Sequence, residues 1–93
     1  MEFIKEKNRI YIEKDGKMLA EVVFDTVSEN TVSISRTFVE ESLRGQGIAG
    51  QLLEAAYVEI KGQNKKAIPT CSYAEKWFKS HKEYQDIIEM TGD

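Results

Sequence analysis

The chain has 93 residues, enough for one small domain with a modest hydrophobic core. Apolar residues make up 41% and charged residues 31%, which is typical of a globular protein rather than a disordered one. The net charge of -3 argues against the basic excess of a nucleic-acid-binding protein, and no apolar run has the length of a membrane span. Cys71 is the only cysteine, which excludes an internal disulfide and suits a reducing compartment. Since no hydrophobic signal segment opens the chain, we expect one cytoplasmic domain over residues 1–93, without membrane or nucleic-acid partners.

The first half of the sequence predicts three antiparallel strands joined by tight turns. Arg9–Lys14 alternates β-forming residues, and the Asp-Gly pair at 15–16 is a strong hairpin signal before a second run at 17–25. After a polar turn, Thr31–Val39 alternates apolar with small polar side chains. Arg36 interrupts the apolar face of this third strand, so either the register changes there or Arg36 faces a site.

The second half predicts a helix, a strand and another helix. Apolar residues recur at helical spacing over residues 47–61, and Gly62 is a plausible C-terminal cap. A short strand follows at 66–70, and a crossover of helical length favours its pairing in parallel with the third strand. The fold class is therefore α+β, a mixed sheet with helices packed on it.

A second helix is predicted over residues 72–79. Ser72 is expected to cap it, because Glu75 three residues later would complete a capping box. The tail predicts a turn and then a short extended piece at 86–88.

The turn before the first helix has the composition of an anion site. It reads Arg-Gly-Gln-Gly-Ile-Ala over residues 44–49. The first backbone N–H groups of a helix have no partner within it, and glycines let a large anion approach them. Three antiparallel strands precede this turn, which argues against a dinucleotide fingerprint, and the Gly-Lys-Ser/Thr of a P-loop is absent. The alternative is an ordinary glycine-containing start of a helix.

Arg44-x-x-Gly47-x-Ala49 resembles the Arg/Gln-x-x-Gly-x-Gly/Ala motif of the GNAT N-acetyltransferases. A group of small GNAT-like proteins is similar over most of the chain, about residues 9–88. The matching motifs are Ile34-x-x-Thr37-x-Val39, Leu43-Arg44-Gly45-Gln46-Gly47-Ile48-Ala49, Pro69-x-Cys71-Ser72-Tyr73-Ala74 and His81-x-Glu83-Tyr84-x-Asp86. The resemblance implies a minimal GNAT fold that binds acetyl-CoA or coenzyme A and transfers acetyl to a small-molecule or protein amine.

The resemblance also implies residue roles. Backbone amides of residues 46–49 would bind the coenzyme pyrophosphate, and the end of the third strand would bind the pantetheine arm through its backbone. A bulge there would separate the third and fourth strands and open a slot for that arm. The start of the second helix would form the opposite wall. The implied cofactor-binding residues are Phe38, Val39, Arg44, Gly45, Gln46, Gly47, Ile48, Ala49, Ser72 and Tyr73.

The catalytic groups are less typical of the family. Larger GNAT enzymes carry a tyrosine acid at the position of Phe78, and close relatives often have histidine at Arg36. Cys71, just before a helix, is the candidate catalytic residue; it could donate a proton, take the acetyl group or form a mixed disulfide with coenzyme A. A small buried structural residue is the alternative. His81 and Tyr84 are expected mainly to pack or cap helices.

Three functions therefore stay open at this point. The first is an acetyl-CoA-dependent N-acetyltransferase, the second a coenzyme A or acyl-CoA binding module with little turnover, and the third a structural domain without a nucleotide ligand. No cluster has metal-ligand spacing, so no metal is expected. The protein is expected to be a monomer or a weak homodimer.

Overall fold

The computed structural model describes residues 2–89, which form one five-stranded sheet with helices on it. The strands lie in chain order, β1-β2-β3-β4-β5. Their bounds are β1 Ile4–Glu6, β2 Arg9–Lys14, β3 Lys17–Ser28, β4 Thr31–Val39 and β5 Lys66–Pro69. The helices are α1 Ile48–Gly62 and α2 Ser72–Ser80, with short 3-10 helices at Glu41–Leu43 and Lys82–Ile87. The predicted α+β class is confirmed.

The three-stranded meander is also confirmed, with one addition. β2, β3 and β4 pair antiparallel, and the Asp15–Gly16 turn has positive φ at both residues, as a hairpin of this type requires. β1 is a strand that the sequence did not predict. It adds Ile4 opposite Tyr11 at the edge of the sheet, and all three of its residues are exposed.

β5 lies parallel to β4, as predicted from the helical crossover. The pairing is short, because it joins only Thr31–Ile34 of β4 to Lys66–Pro69 of β5. After Ile34 the two strands separate. The Ile34 carbonyl accepts hydrogen bonds from the backbone N–H groups of both Thr70 and Cys71, at 3.1 and 3.0 Å. The second half of β4 therefore has a strand neighbour on one side only, which opens a fork between β4 and the start of α2.

A bulge in β4 decides which side chains point toward the helices. Phe24 pairs with Ile34, whereas the preceding Val23 pairs with Arg36, so Ser35 is an extra residue. Beyond it, Thr37 lies opposite the fully buried Val22 on the helix side. Arg36 lies on the other face of the sheet. The sequence left open whether the register changes at Arg36 or Arg36 faces a site, and the bulge shows that the register changes.

A single apolar cluster joins the helix-facing side of the sheet to both helices. β-strand members such as Ile10, Val22 and Ile34 are fully buried, and Leu52 and Ala56 of α1 pack over them. Burying one such side chain contributes about 1.5–3 kcal/mol relative to leaving it in water. This packing holds α1 on the helix-facing side of the sheet, with its first residue Ile48 part of the core.

The predicted caps at Gly62 and Ser72 are wrong, and the predicted capping box with Glu75 does not form. α1 includes Gly62 as its last residue, and its C-cap is Gln63, whose N–H returns to the last turn; the left-handed residue is Asn64. α2 is capped by Cys71 rather than Ser72, and no side chain caps it. The reason is that the Cys71 N–H is tied to Ile34, so its carbonyl receives the first helical bond, from the Glu75 N–H at 2.9 Å.

The tail differs from the predicted extended piece at 86–88. Residues 82–87 form a 3-10 helix, and only Ile88 is extended, in a parallel bridge to Ala67. A polar cluster holds this segment on α1, where Tyr57 and Lys61 both bond to the carboxylate of Asp86, at 2.8 and 2.9 Å.

Candidate functional site

A cavity of about 610 Å³ opens at the fork, between the end of β4 and the starts of α1 and α2. Its lining residues are Thr37, Phe38, Val39, Leu43, Arg44, Gly45, Gly47, Ile48, Ala49 and Tyr73. Most of the residues predicted to hold the cofactor lie here. Gln46 and Ser72 are not among the lining residues, and Thr37 and Leu43 are lining residues that the sequence analysis did not single out.

The glycine turn forms one end of this cavity and has the backbone of an anion site. Gly45 and Gly47 have φ values of +84° and +76°, which favour glycine. Across residues 2–89, no acceptor is found for the backbone N–H groups of residues 45–50, and the first to donate is Gln51, to the Gly47 carbonyl. These groups are left for water or a ligand at the positive end of a 15-residue helix. A Cβ at Gly47 would meet no atom within 4 Å, so the space above the turn is open.

Arg44 connects the glycine turn to β4. Its Nε donates to the Val39 carbonyl at 3.1 Å, and its side chain is exposed at the mouth of the cavity. This bond holds the guanidinium beside the two features that the sequence analysis assigned to the coenzyme, the helix start and the end of β4. A planar cation in that place suits a pyrophosphate.

The lining of the cavity changes from polar to apolar along β4. Val39, at the end of the strand, is half-buried and Ile48, at the start of α1, is buried, and both line the cavity. Phe38 also lines it, although its ring lies by the Arg36 guanidinium on the other side of the sheet. Tyr73, on α2, contributes the opposite wall. The cavity therefore offers an anion site at the glycine turn and an apolar channel toward the fork.

Cys71, the predicted catalytic residue, lies beside the fork at the cap position of α2 and is not among the lining residues of the cavity. Its Sγ is 3.7 Å from Oγ1 of the lining residue Thr37. Burial raises the pKa of the Cys71 thiol, but hydrogen bonds from the Ala74 N–H, the Thr37 hydroxyl and the Tyr73 N–H outweigh it and bring the pKa below its ordinary value. The same donors would stabilise a thiolate at this position.

The other residues considered from the sequence lie away from the cavity lining. Phe78 is buried in the core and cannot donate a proton. Arg36 lies on the opposite sheet face, where its Nε donates to Glu21 at 3.1 Å. His81 ends α2, as expected: its Nδ1 is 2.7 Å from the Trp77 carbonyl and its ring stacks on Trp77. Tyr84 stacks on the same indole and donates its hydroxyl to Glu54.

Residues 2–89 contain neither a metal-type cluster nor a membrane-type helix. No group of three or more His, Cys, Asp or Glu side chains is arranged to hold a metal ion. No helix in this part of the chain has both the length and the apolar character to cross a bilayer.

Comparison with known proteins agrees with this geometry. Residues 9–87 match the family model described as GCN5-related N-acetyl-transferase. The chain belongs to the GCN5-related N-acetyltransferase (GNAT) family. The match covers the meander, both helices and the fork, so the predicted family and the predicted enzyme class, an N-acetyltransferase, are confirmed.

Three relatives illustrate how closely the chain follows the GNAT family. Protein NATD1 of Xenopus tropicalis is 34% identical over 62 residues, a match that spans 67% of this chain and 57% of that protein. The solution structure of a GCN5-like putative N-acetyltransferase from Staphylococcus aureus is similar with a TM-score of 0.81 and 30% identity, covering 98% of this chain and 90% of the other. A GNAT acetyltransferase from Elizabethkingia anophelis, solved with acetyl-CoA bound, has a TM-score of 0.55 and 24% identity over 62% of this chain and 38% of its own, which supports the fold alone.

Proposed function

We propose that this protein transfers the acetyl group of acetyl-CoA to a primary amine, with the coenzyme lying in the fork cavity. The observation that carries the proposal is the proximity of three features: unpaired helix N–H groups at the glycine turn, a cavity lined by the end of β4, and a thiol in contact with the lining residue Thr37. The pyrophosphate would bind at residues 45–49 beside Arg44, and the pantetheine arm would run along Phe38 and Val39. The acceptor is a small-molecule or protein amine, and the cytoplasm is the expected compartment.

Cys71 is proposed as the acid of this reaction. The neutral amine attacks the thioester carbonyl, the new C–N bond forms, and the C–S bond breaks to release the coenzyme thiolate. The Cys71 Sγ–H donates its proton to that thiolate, and the excess proton of the amine leaves to water. Because its pKa is lowered, Cys71 gives up a proton more readily than an ordinary thiol does. The cysteine thiolate formed is stabilised by the Tyr73 and Ala74 N–H groups until water reprotonates it.

The alternative, a coenzyme-binding module with little turnover, rests on Phe78. This buried phenylalanine stands where larger GNAT enzymes have a tyrosine acid, so an enzyme without a substitute acid would be slow. Cys71 provides that substitute in our proposal. Family membership favours transfer over binding alone.

Arg44→Ala tests the placement of the coenzyme. Loss of a hydrogen bond to a charged group removes about 1.5–3 kcal/mol, so the Kd for acetyl-CoA should rise roughly ten- to hundredfold by calorimetry. Lys7→Ala is the matched control: it removes the same charge from the turn between β1 and β2, outside the cavity lining, and should leave the Kd unchanged. Equal affinities of wild type and Arg44→Ala would refute the pyrophosphate assignment.

Cys71→Ala and Cys71→Ser test the acid. Transfer across a panel of amines should fall in the Cys71→Ala variant, while the Kd for acetyl-CoA stays close to that of wild type. Mass spectrometry of wild type with acetyl-CoA and no amine should find no acetyl adduct on Cys71. Full activity of Cys71→Ala would remove Cys71 from the mechanism, and a stable acetyl-Cys71 adduct would replace the acid role with a covalent one.

A further inference from the structure

The bulge at Ser35 gives Thr37 a position that the sequence alternation does not. With regular alternation, Thr37 would share a face with the polar residues of β4. The extra residue instead turns Thr37 to the helix side, opposite Val22, where it is half-buried and lines the fork cavity. A hydroxyl is thereby placed in a channel whose other β4 members, Phe38 and Val39, are apolar.

The hydroxyl of Thr37 faces the thiol of Cys71. The 3.7 Å between Oγ1 and Sγ is within hydrogen-bond range for sulfur. Both groups can donate and accept. While Cys71 carries its proton, the thiol donates to the threonine oxygen; once the proton has left, the hydroxyl can turn and donate to the thiolate. The same contact therefore serves both protonation states.

The chain around Cys71 is held in place independently of this contact. The N–H groups of Thr70 and Cys71 bond to the Ile34 carbonyl, and the Thr70 hydroxyl lies 2.6 Å from the Ser33 hydroxyl. These bonds fix the backbone at the cap of α2 but do not reach the thiol. The Thr37 hydroxyl contacts the thiol from β4, across the fork from the Tyr73 and Ala74 N–H groups of α2, and so contributes to the direction of the side chain.

We propose that Thr37 is a positioning residue for acetyl transfer, holding the Cys71 thiol toward the reacting end of the coenzyme channel and stabilising the thiolate left after proton transfer. The inference rests on the function proposed above. The hydroxyl of Thr37 is one of the groups that lower the pKa of Cys71 against the effect of burial.

The charged groups on the elements around Cys71 provide no substitute for this hydroxyl. Arg36 of β4 pairs with Glu21 on the other sheet face, and Glu75 in the first turn of α2 is exposed. Arg44 lies with the glycine turn and is engaged by Val39. Removing the Thr37 hydroxyl should therefore be felt at the thiol.

Thr37→Val and Thr37→Ser form the test. Valine keeps the shape and β-propensity of threonine without the hydroxyl, and serine restores the hydroxyl. Because Cys71 is the only cysteine, the rate of alkylation by iodoacetamide as a function of pH reports on this thiol alone. The midpoint of that profile should rise by about one pH unit in Thr37→Val, as expected for loss of a hydrogen bond to a charged group, and return toward wild type in Thr37→Ser.

Transfer assays complete the test. In Thr37→Val, kcat should fall about tenfold with the Kd for acetyl-CoA nearly unchanged, and Thr37→Ser should recover most of it. Unchanged alkylation and kcat in Thr37→Val, with an active wild type, would overturn the role of Thr37 alone. A wild type that transfers no acetyl group would refute the proposed function and with it the positioning role, whatever the alkylation profile shows.

Discussion

The left-handed conformation of Gly47 makes Gly47→Ala an informative perturbation. Gly47 caps the start of α1 at φ +76°, and a Cβ there would meet no atom within 4 Å. The penalty is therefore conformational rather than a steric clash with a neighbour. Placing an L-residue in this region costs roughly 1–2 kcal/mol. At about 4–8 °C per kcal/mol for a domain of this size, the melting temperature should fall by several degrees.

Gly62→Ala is the matched control for this experiment. Gly62 is in the last turn of the same helix, its added Cβ would also meet open space, and its φ is not positive. There alanine should be neutral or stabilising, by up to about 1 kcal/mol, because glycine is a poor helix residue. The assay is thermal unfolding of both variants followed by circular dichroism.

Coenzyme affinity gives the second readout for Gly47→Ala. If the variant relieves its strain by changing the turn, the N–H groups of residues 45–49 no longer converge, and the Kd for coenzyme A should rise. Gly62→Ala should bind as wild type does. A Gly47→Ala protein with the stability and the Kd of wild type would refute the reasoning that this backbone conformation is required.

Further predictions concern packing and pH. Gly50→Ala should destabilise by about 1–3 kcal/mol in spite of the gain in helix propensity, because its Cβ would lie 3.1 Å from Nε1 of Trp77, which is stacked on His81 and Tyr84; a raised melting temperature would show that the indole moves freely. Leu52→Ala, in the core, should cost about 2–5 kcal/mol in denaturant unfolding, while the exposed Val58→Ala should stay within about 0.5 kcal/mol, and similar losses for both would contradict the assigned core. Asp86→Asn should lower stability at neutral pH, since Lys61 and Tyr57 hold the pKa of Asp86 below its usual value; the difference from wild type should vanish as the pH falls through that lowered pKa, and a constant difference down to acid pH would exclude the ionic contact. Asp86 and Tyr57 in turn raise the pKa of Lys61 to about 12. The contribution of Lys61 to stability should therefore persist below the ordinary lysine pKa and be lost only as the pH rises through the raised pKa.

The sequence predicted those elements whose pattern is strong and local. The alternation of β2 and β4, the Asp15–Gly16 turn and the apolar stripe of α1 each determine their element without help from the rest of the fold. β1 was missed because it is three exposed residues whose only support is the edge of β2. The predicted cap of α2 was wrong because the hydrogen bond from the Cys71 N–H to the Ile34 carbonyl, a tertiary contact, determines where the helix starts.

The site was predictable where it depends on the backbone of one segment. The two glycines of the turn indicate its positive φ values in the sequence. The resemblance to GNAT proteins predicts in addition that the end of β4 and the start of α2 contribute to the site. The place of Thr37 was not predictable in the same way. It depends on a single extra residue in β4, and Arg36 showed only that the alternation fails nearby. Its partner Cys71 is 34 positions away in the chain, beyond any local pattern.

The central claim is that the glycine turn at the start of α1 binds the coenzyme pyrophosphate. It is tested most directly by titrating ¹⁵N-labelled protein with coenzyme A and following the backbone amide signals. The largest shifts should fall on residues 45–49, with smaller shifts at Phe38 and Val39, and those at 45–49 should be lost in Arg44→Ala at the same coenzyme concentration. Saturable shifts that leave residues 45–49 unmoved and cluster elsewhere would contradict the account.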